Sequence, residues 1–432
     1  MTYTVDIPAP ALLPFVLLLG AIAVLPLSAA GFWDRNRNKL LVAVALSVPA
    51  VGFLAARGLG DALYHSLVFD YVPFIVLLGS LFVVTGGIVI EGDLEARPLT
   101  NTSIMGIGAV LASLMGTTGA SMLLIRSLLH TNRERQFKSH TVLFFIAIVC
   151  NCGGLLTPLG DPPLFMMYLR GASFTWFFRL LPEWLFVNGS LLLVYYLVDS
   201  CYWRRETPQA RTEEHRRIRP LFIRGWANLI WLGGIVLAVA FINPNNLPAL
   251  GGNPYRPFVR EAVLVLMALL SWGLTPRSVH HANHFTWRPM EEVAYLFLGI
   301  FITMVPCLMY LAAHARSLGT PSAALFYYAT GALSSVLDNT PTALNFYSLA
   351  VGLGQDTPRM VAGIPEYMMK AICTGAVFFG AMTYIGNGPN FMVKTIAEHQ
   401  GVRMPHFFEY VFKFGLIVLL PIFVLAQLAF IR

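Results

Sequence analysis

Long apolar stretches separated by short polar segments run along the whole 432-residue chain. A stretch of 18 or more apolar residues with few charges predicts a membrane-spanning helix. We expect such helices at residues 10–30, 39–57, 72–91, 174–200, 226–243, 258–274, 291–314 and 406–430. Together with the interrupted stretches described next, the pattern predicts an all-α polytopic membrane protein with about ten transmembrane helices.

Two further apolar stretches, 140–170 and 366–398, are interrupted in their middle. The first contains CNCGGLLTPLGDPP at 150–163, and the second contains TYIGNGP at 383–389. Glycine weakens a helix and proline removes a backbone donor, so each helix should break and restart at the following proline. In secondary transporters, the carbonyls and helix ends freed by such breaks bind ions and substrate. Asp161 lies at the first break, where an acidic residue is a functional candidate.

Two other stretches have a polar tip between two apolar arms. In 101–130 the tip is GTTG at 116–119, and in 320–350 it is DNTP at 338–341. The distribution of Lys and Arg in the flanking loops places both ends of each stretch on one side of the membrane. Each stretch is therefore predicted to be a re-entrant hairpin.

The two halves of the chain repeat each other. Thr157–Met166 aligns with Thr383–Met392 at an offset of 226 residues, and Leu111–Leu124 aligns with Leu333–Phe346 at an offset of 222. An odd number of crossings in each half would invert the second copy. We therefore predict a first inverted repeat at 1–202, a basic cytoplasmic linker at 203–225 and a second repeat at 226–432. Inverted repeats place the binding site near the membrane midplane, where they meet.

Charge is scarce and concentrated in a few loops. Only 12% of the residues are charged and 56% are hydrophobic, which excludes an ordinary soluble domain. Seven arginines lie in the segment 203–224, and the net charge of +7 is explained by such cytoplasmic loops without a nucleic-acid partner. We expect a multi-pass protein of the bacterial inner membrane with both termini outside. HExxH, GxSxG and P-loop motifs are absent from the sequence, so we expect a transporter rather than an enzyme.

The breaks and tips carry the candidate site residues. We expect ion or proton binding by Asp161, Asp338, Asn339, Asn151, Thr157, Asn387 and Thr383. We expect substrate contacts at Thr117, Thr118, Gly119, Ser335, Thr340, Gly160, Gly386 and Asn390. Hard cations prefer carboxylate, hydroxyl and amide oxygens, so one hypothesis places a sodium ion at Asp161, Thr118, Asp338 and Asn387.

Two roles are open for the aspartates. Sodium binding and protonation exclude each other at a carboxylate, which is what an antiporter requires. The alternative for Asp161 and Asp338 is capping of the restarted helices, and both roles can hold at once. Apart from sodium as a coupling or transported ion, we expect no cofactor.

The break pattern Asn151-x-Gly153-Gly154-x-x-Thr157-Pro158-x-Gly160-Asp161 resembles that of NhaD-type sodium/proton antiporters. The segment Leu337–Pro341 resembles their second hairpin tip. These antiporters belong to the ion transporter superfamily, which also holds arsenite pumps and citrate transporters, and the resemblance covers residues 70–200 and 285–430. It implies a mobile transport domain of hairpins and broken helices, a scaffold domain, elevator-like movement and usually a homodimer.

The first tip departs from the antiporter pattern, because theirs is acidic whereas this one is Gly-Thr-Thr-Gly. The double proline after Asp161 resembles the citrate-transporter branch of the same superfamily. The leading hypothesis is a sodium/proton antiporter. The alternative is sodium- or proton-coupled transport of a carboxylate such as citrate, or of an oxyanion such as arsenite, which the neutral first tip and the anion-attracting helix N-termini favour.

Overall fold

The computed structural model describes residues 7–206, 219–244, 246–251, 253, 255–319 and 321–431. Within these residues the chain is almost entirely helical, with two antiparallel strand pairs, Val89–Asp93 with Arg219–Arg224 and Met360–Val361 with Ile364–Pro365. Eight of the described helices are long and apolar enough to cross a membrane, and Asn228–Phe241 is a shorter apolar helix. The prediction of an all-α polytopic membrane protein is confirmed.

The principal helices follow the predicted order, and we number them along the chain. The first half contains α1 (Leu13–Ser28), α2 (Asn36–Ala56), α3 (Gly60–Gly86), α4 (Pro98–Met115), α5 (Thr117–Thr131), α6 (Ser139–Ile148), α7 (Pro162–Leu169) and α8 (Leu181–Arg205). The second half contains α9 (Asn228–Phe241), α10 (Phe258–Leu274), α11 (Arg288–His314), α12 (Ala323–Ser334), α13 (Asn339–Leu353), α14 (Glu366–Phe379), α15 (Gly388–His399) and α16 (Phe407–Phe430). Shorter helical segments connect them at Ala9–Leu12, Ala30–Trp33, Cys152–Leu156, Phe174–Leu180, Pro248–Leu250, Arg277–Ala282, Ala315–Leu318 and Gly380–Met382.

Three boundaries differ from the prediction. The predicted helix 72–91 ends earlier, at Gly86, and Val89–Asp93 form a strand. The same helix also starts earlier, so that no loop fills 58–70, because α3 begins at Gly60 and passes through a π-helical stretch, Ser66–Tyr71. The polar residue Asp70 is accommodated there because Arg170 donates to it at 2.8 Å. The predicted linker 203–225 is also not a loop throughout. Residues 203–205 end α8, Arg219–Arg224 form a strand, and 207–218 lie outside the described residues.

The helices of the two halves pack on each other in an exchanged pattern. Helix α2 packs along α11, and its repeat counterpart α10 packs along α3, the counterpart of α11. In the same way α5 packs on α15, and α13 packs on α7. Contacts exchanged in this way are what a two-fold relation between halves produces. The division into inverted repeats stays a prediction that this packing supports.

The first broken helix lies at the centre of the fold. Of the segment Ser139–Leu156, 78% is buried inside the protein, against 17% of Ala9–Pro26. Backbone groups released by a break are tolerated at membrane depth only where protein or a wet cavity surrounds them. The interrupted segment therefore lies where its free carbonyls and amides can be satisfied by neighbouring side chains.

Candidate transport site

Both predicted breaks are present and have the same local structure. Helix α6 ends at Ile148 and α7 starts at Pro162, whereas α14 ends at Phe379 and α15 starts at Gly388. In each connection a glycine of a 3-10 segment lies close to a second glycine just before the next helix. A Cβ on Gly160 would lie 1.9 Å from the Gly154 carbonyl oxygen, and one on Gly386 would lie 2.7 Å from the Gly380 carbonyl oxygen.

Asp161 is the residue on which the two halves converge. It is 1% exposed and directly precedes α7. One carboxylate oxygen, Oδ1, accepts from Thr117 Oγ1 at 3.0 Å and from Asn387 Nδ2 at 3.1 Å. The other, Oδ2, accepts from Asn339 Nδ2 at 2.9 Å. A single carboxylate is therefore held by the first hairpin tip, the second hairpin tip and the second break.

Asparagine amides extend this network between the breaks. The Nδ2 of Asn387 also donates to Asn151 Oδ1 at 3.2 Å and to the Cys150 carbonyl oxygen at 3.1 Å. The Nδ2 of Asn151 donates to Asn390 Oδ1 at 2.7 Å, and Asn390 donates in turn to the Gly380 carbonyl oxygen at 2.8 Å. The three asparagines are buried. They satisfy carbonyls that the breaks release and fix the orientation of the Asn387 amide that donates to Asp161.

In each half, one threonine connects the break to the hairpin of the same half by a hydrogen bond. Thr157 donates its hydroxyl to the Ser113 carbonyl oxygen, and Thr383 donates to the Ser335 carbonyl oxygen at 2.5 Å. Both hydroxyls also accept a backbone amide two residues ahead, at 3.2 Å. Thr157 matches Thr383 in the repeat, and Ser113 matches Ser335. The same contact thus occurs in both halves.

The chain that carries these paired breaks and tips matches a known protein family along nearly its whole length. The pattern of the family described as putative citrate transport matches residues 4–431. The chain belongs to the putative citrate transport family. None of the curated proteins matches it. Membership of this family supports the citrate-transporter branch of the resemblance and does not support the sodium/proton antiporters specifically.

Other predicted site residues lie near the centre of this family member without contacting Asp161. Asp338 caps α13, with its side chain accepting from the Thr340 amide at 2.9 Å, so the capping role is present. Ser335 donates its hydroxyl to a carbonyl oxygen within its own hairpin. Thr118 and Gly119 line a cavity of about 70 Å³ between the first tip and the helices α3 and α11.

The predicted sodium ligands can be compared with the contacts that Asp161 makes in the structure. Of Thr118, Asp338 and Asn387, only Asn387 hydrogen-bonds to Asp161, and it does so through its NH₂ group rather than its oxygen. Among the described residues, no cluster of three or more His, Cys, Asp or Glu side chains suits a metal ion. In this conformation Asp161 is surrounded by donors. The sodium site stays a prediction, and it would require the asparagine amides or the tips to move.

Sequence reasoning missed two serines. Ser334 donates to Asn339 Oδ1 at 2.6 Å, which turns the Nδ2 of Asn339 toward Asp161. Ser113 supplies the carbonyl to Thr157, and its own hydroxyl donates to the Gly153 carbonyl oxygen at 2.5 Å. The signal for Ser113 was present, because it aligns with the predicted residue Ser335 in the repeat.

Four helix N-termini point into the centre. The helices α5, α7, α13 and α15 begin at its tips and breaks, after the N-cap positions Gly116, Asp161, Asp338 and Asn387. The capping role predicted for Asp161 is wrong, because of these four only Asp338 caps its helix through a side-chain hydrogen bond. Each N-terminus is equivalent to roughly half a positive charge, about two charges in total. Ionised Asp161 and Asp338 would balance that charge. The centre is thus near neutrality when both aspartates are ionised.

Proposed function

We propose that the protein is a secondary transporter that moves a small carboxylate of the citrate class together with a coupling cation, sodium or proton. Asp161 is the residue that binds this cation. The observation that carries the proposal is the convergence of both hairpin tips and the second break on the Asp161 carboxylate. Any movement of either tip changes the donors available to Asp161, which links cation occupancy to conformation.

The charge balance at the centre supports coupled transport of an anion. Helix N-termini attract carboxylates, and four of them begin there. The two aspartates oppose anion binding as long as they are ionised and unpaired. A sodium ion or proton on Asp161 removes about one negative charge, which favours entry of the anion. Family membership supports a carboxylate as the transported species.

Sodium/proton antiport is the second candidate. It is favoured by the burial of Asp161, because a single buried carboxylate is sufficient for competition between sodium and a proton. Asn387 occupies the position in the second repeat that matches Asp161, so the paired breaks carry one acid rather than two. Arsenite transport is a weaker alternative from the sequence, and no contact in the site favours it specifically.

The remaining parts of the proposal come from the sequence and the resemblance. We infer an inner-membrane location, both termini outside, a homodimer and an elevator-like movement of the hairpins and broken helices against the helices α1–α3 and α9–α11. The 70 Å³ cavity at the first tip supports this division, since it is lined by the tip on one side and by α3 and α11 on the other.

The test uses purified full-length protein in proteoliposomes. Labelled citrate should accumulate when an inward sodium or proton gradient is imposed, and Asp161→Asn should abolish the accumulation. Asp61→Asn is the matched control, because Asp61 is an exposed aspartate in the first turn of α3. Sodium-driven collapse of a preset pH gradient in everted vesicles, without citrate uptake, would instead establish the antiporter and overturn the carboxylate proposal.

A further inference from the structure

A large cavity lies at the end of α14 remote from the second break. Its volume is about 880 Å³, and it is broadly open to solvent. Its lining comes from the segment after α7, the connection between α13 and α14, and the first turns of α14, through Arg179, Thr357, Pro358, Arg359, Glu366, Tyr367 and Lys370. The charge bias of the loops puts this end of the fold on the predicted outer face.

The lining is cationic. Arg179 donates to Glu366 at 2.7 Å, and Lys370 donates to Glu183, which is 1% exposed and is not part of the lining, at 3.1 Å. The lining thus contains three cationic side chains and one carboxylate, that of Glu366, and two of the three cations already have an ion-pair partner. Among the described residues, no side chain or backbone group accepts a hydrogen bond from the guanidinium of Arg359, which is exposed at the mouth.

The backbone holds Arg359 in place although its side chain is free. Its carbonyl oxygen accepts from the Glu366 amide at 3.0 Å, which joins the loop to the start of α14. Trp176 and Arg179 both donate to the same Glu366 oxygen, so the opposite wall is fixed as well. A free guanidinium beside two further cations is suited to a carboxylate, which it can bind through two parallel N–H groups.

We propose that this cavity is an outer binding site for a polycarboxylate anion such as citrate, occupied before the anion reaches the centre. The inference rests on the proposed function. A polyanion is favoured over a monoanion because Arg359 lies beside Arg179 and Lys370, whose N–H groups not used in their ion pairs can donate to further carboxylates. Helix α14 runs from the cavity to the second break, where Asn390 donates to the Gly380 carbonyl oxygen.

The two sites can be separated experimentally. Helix α14 has 14 residues, so the cavity lies about 20 Å from the second break along the helix axis. Asp161→Asn should therefore stop transport while leaving the cavity intact. Arg359→Gln is the informative change in the cavity, since Arg359 is exposed and unpaired and its loss leaves no buried partner. Lys370 variants are unsuitable because they would leave buried Glu183 unpaired.

The test measures citrate uptake and equilibrium citrate binding with full-length protein. Arg359→Gln should raise the KM for citrate uptake about three- to tenfold with little change in Vmax, as expected for the loss of one partly exposed charged contact. The difference should shrink at high salt. Arg57→Gln, an exposed arginine on the same predicted face, should leave the KM unchanged. Asp161→Asn protein should still bind citrate, and Asp161→Asn/Arg359→Gln protein should bind it more weakly.

The outcomes distinguish the two proposals. If the wild-type protein takes up citrate but Arg359→Gln and wild type have the same KM at low salt, the cavity inference is overturned and the proposed function stands. An equal rise in KM for Arg57→Gln would reduce the effect to general surface charge and overturn the inference too. If wild-type protein neither transports nor binds citrate, the proposed function itself fails.

Discussion

Exchanging the acid and amide between Asp161 and Asn339 tests the geometry of the site most sharply. In Asp161→Asn the new NH₂ group must replace either Oδ1, which accepts two donors, or Oδ2, which accepts one. The less costly orientation puts it opposite Asn339 Nδ2, where two donors then face each other at 2.9 Å. In Asn339→Asp alone, two carboxylates face each other instead.

The double variant Asp161→Asn/Asn339→Asp restores every one of these contacts. The new amide at 161 donates to the new carboxylate at 339, while Ser334 still donates to the other oxygen at 339. Thr117 and Asn387 still donate to the oxygen that remains at 161. A hydrogen bond to a charged group contributes about 1.5–3 kcal/mol. The double variant should therefore lose less free energy of unfolding than the two single variants lose together, and the difference should be about that amount.

A second exchange provides the control. In Asp161→Asn/Asn387→Asp the new carboxylate would face the Cys150 carbonyl oxygen and Asn151 Oδ1, which now accept from Asn387. Acceptor would meet acceptor in this double variant and in Asn387→Asp alike, so we expect the exchange at 161 and 387 to stay well below wild type in stability, whereas the exchange at 161 and 339 should approach it. The assay is unfolding of the purified proteins in detergent, with the free energy of unfolding compared across both double-mutant cycles. Equal stability of the two double variants, or no favourable coupling at 161 and 339, would refute the assigned hydrogen-bond directions.

Two further predictions concern the first break and its anchor. Gly160→Ala should prevent assembly of the break, because its Cβ would lie 1.9 Å from a backbone carbonyl oxygen, and should lower stability by more than the roughly 1–3 kcal/mol of ordinary overpacking. Gly388→Ala, whose Cβ meets nothing within 4 Å, should be tolerated. Arg170→Ala should lower the free energy of unfolding by about 1–3 kcal/mol, less than for a fully buried pair, because Asp70 loses its 2.8 Å partner while Arg170 itself is 20% exposed.

These predictions are checked by the yield of folded protein and by unfolding in detergent. A Gly160→Ala protein as stable as Gly388→Ala would contradict the close approach in the first break. For the ion pair, Asp70→Asn/Arg170→Ala should recover part of the stability lost in Arg170→Ala, since no buried charge is then left unpaired. A double variant less stable than Arg170→Ala would show that the pair does not act through charge.

Local chemistry made the breaks and tips predictable. Glycine and proline disrupt a helix wherever they occur in its interior, so the positions near 154–162 and 380–389 follow from composition alone. The repeat then aligned Asp161 with Asn387, and the structure brings these two residues into contact at 3.1 Å. The equivalent contacts of Thr157 and Thr383 follow from the same alignment.

Features that depend on packing between distant segments were not predictable. The tip DNTP does not reveal whether Asp338 or Asn339 faces the centre, because that depends on how α13 starts. Asp338 is used as the cap, and this turns Asn339 toward Asp161. The extension of α3 through Asp70 depends likewise on Arg170, which is distant in sequence. The strand pairing of Val89–Asp93 with Arg219–Arg224 lacks a local signal in the sequence for the same reason.

The central claim is that cation binding at Asp161 drives accumulation of the carboxylate. The most direct measurement is the steady-state ratio of labelled citrate inside and outside proteoliposomes under an imposed inward sodium gradient, repeated with a proton gradient. The account predicts a ratio above one for wild-type protein under at least one gradient, and a ratio no higher than one for Asp161→Asn under both. Accumulation by Asp161→Asn equal to that of the wild type would contradict it.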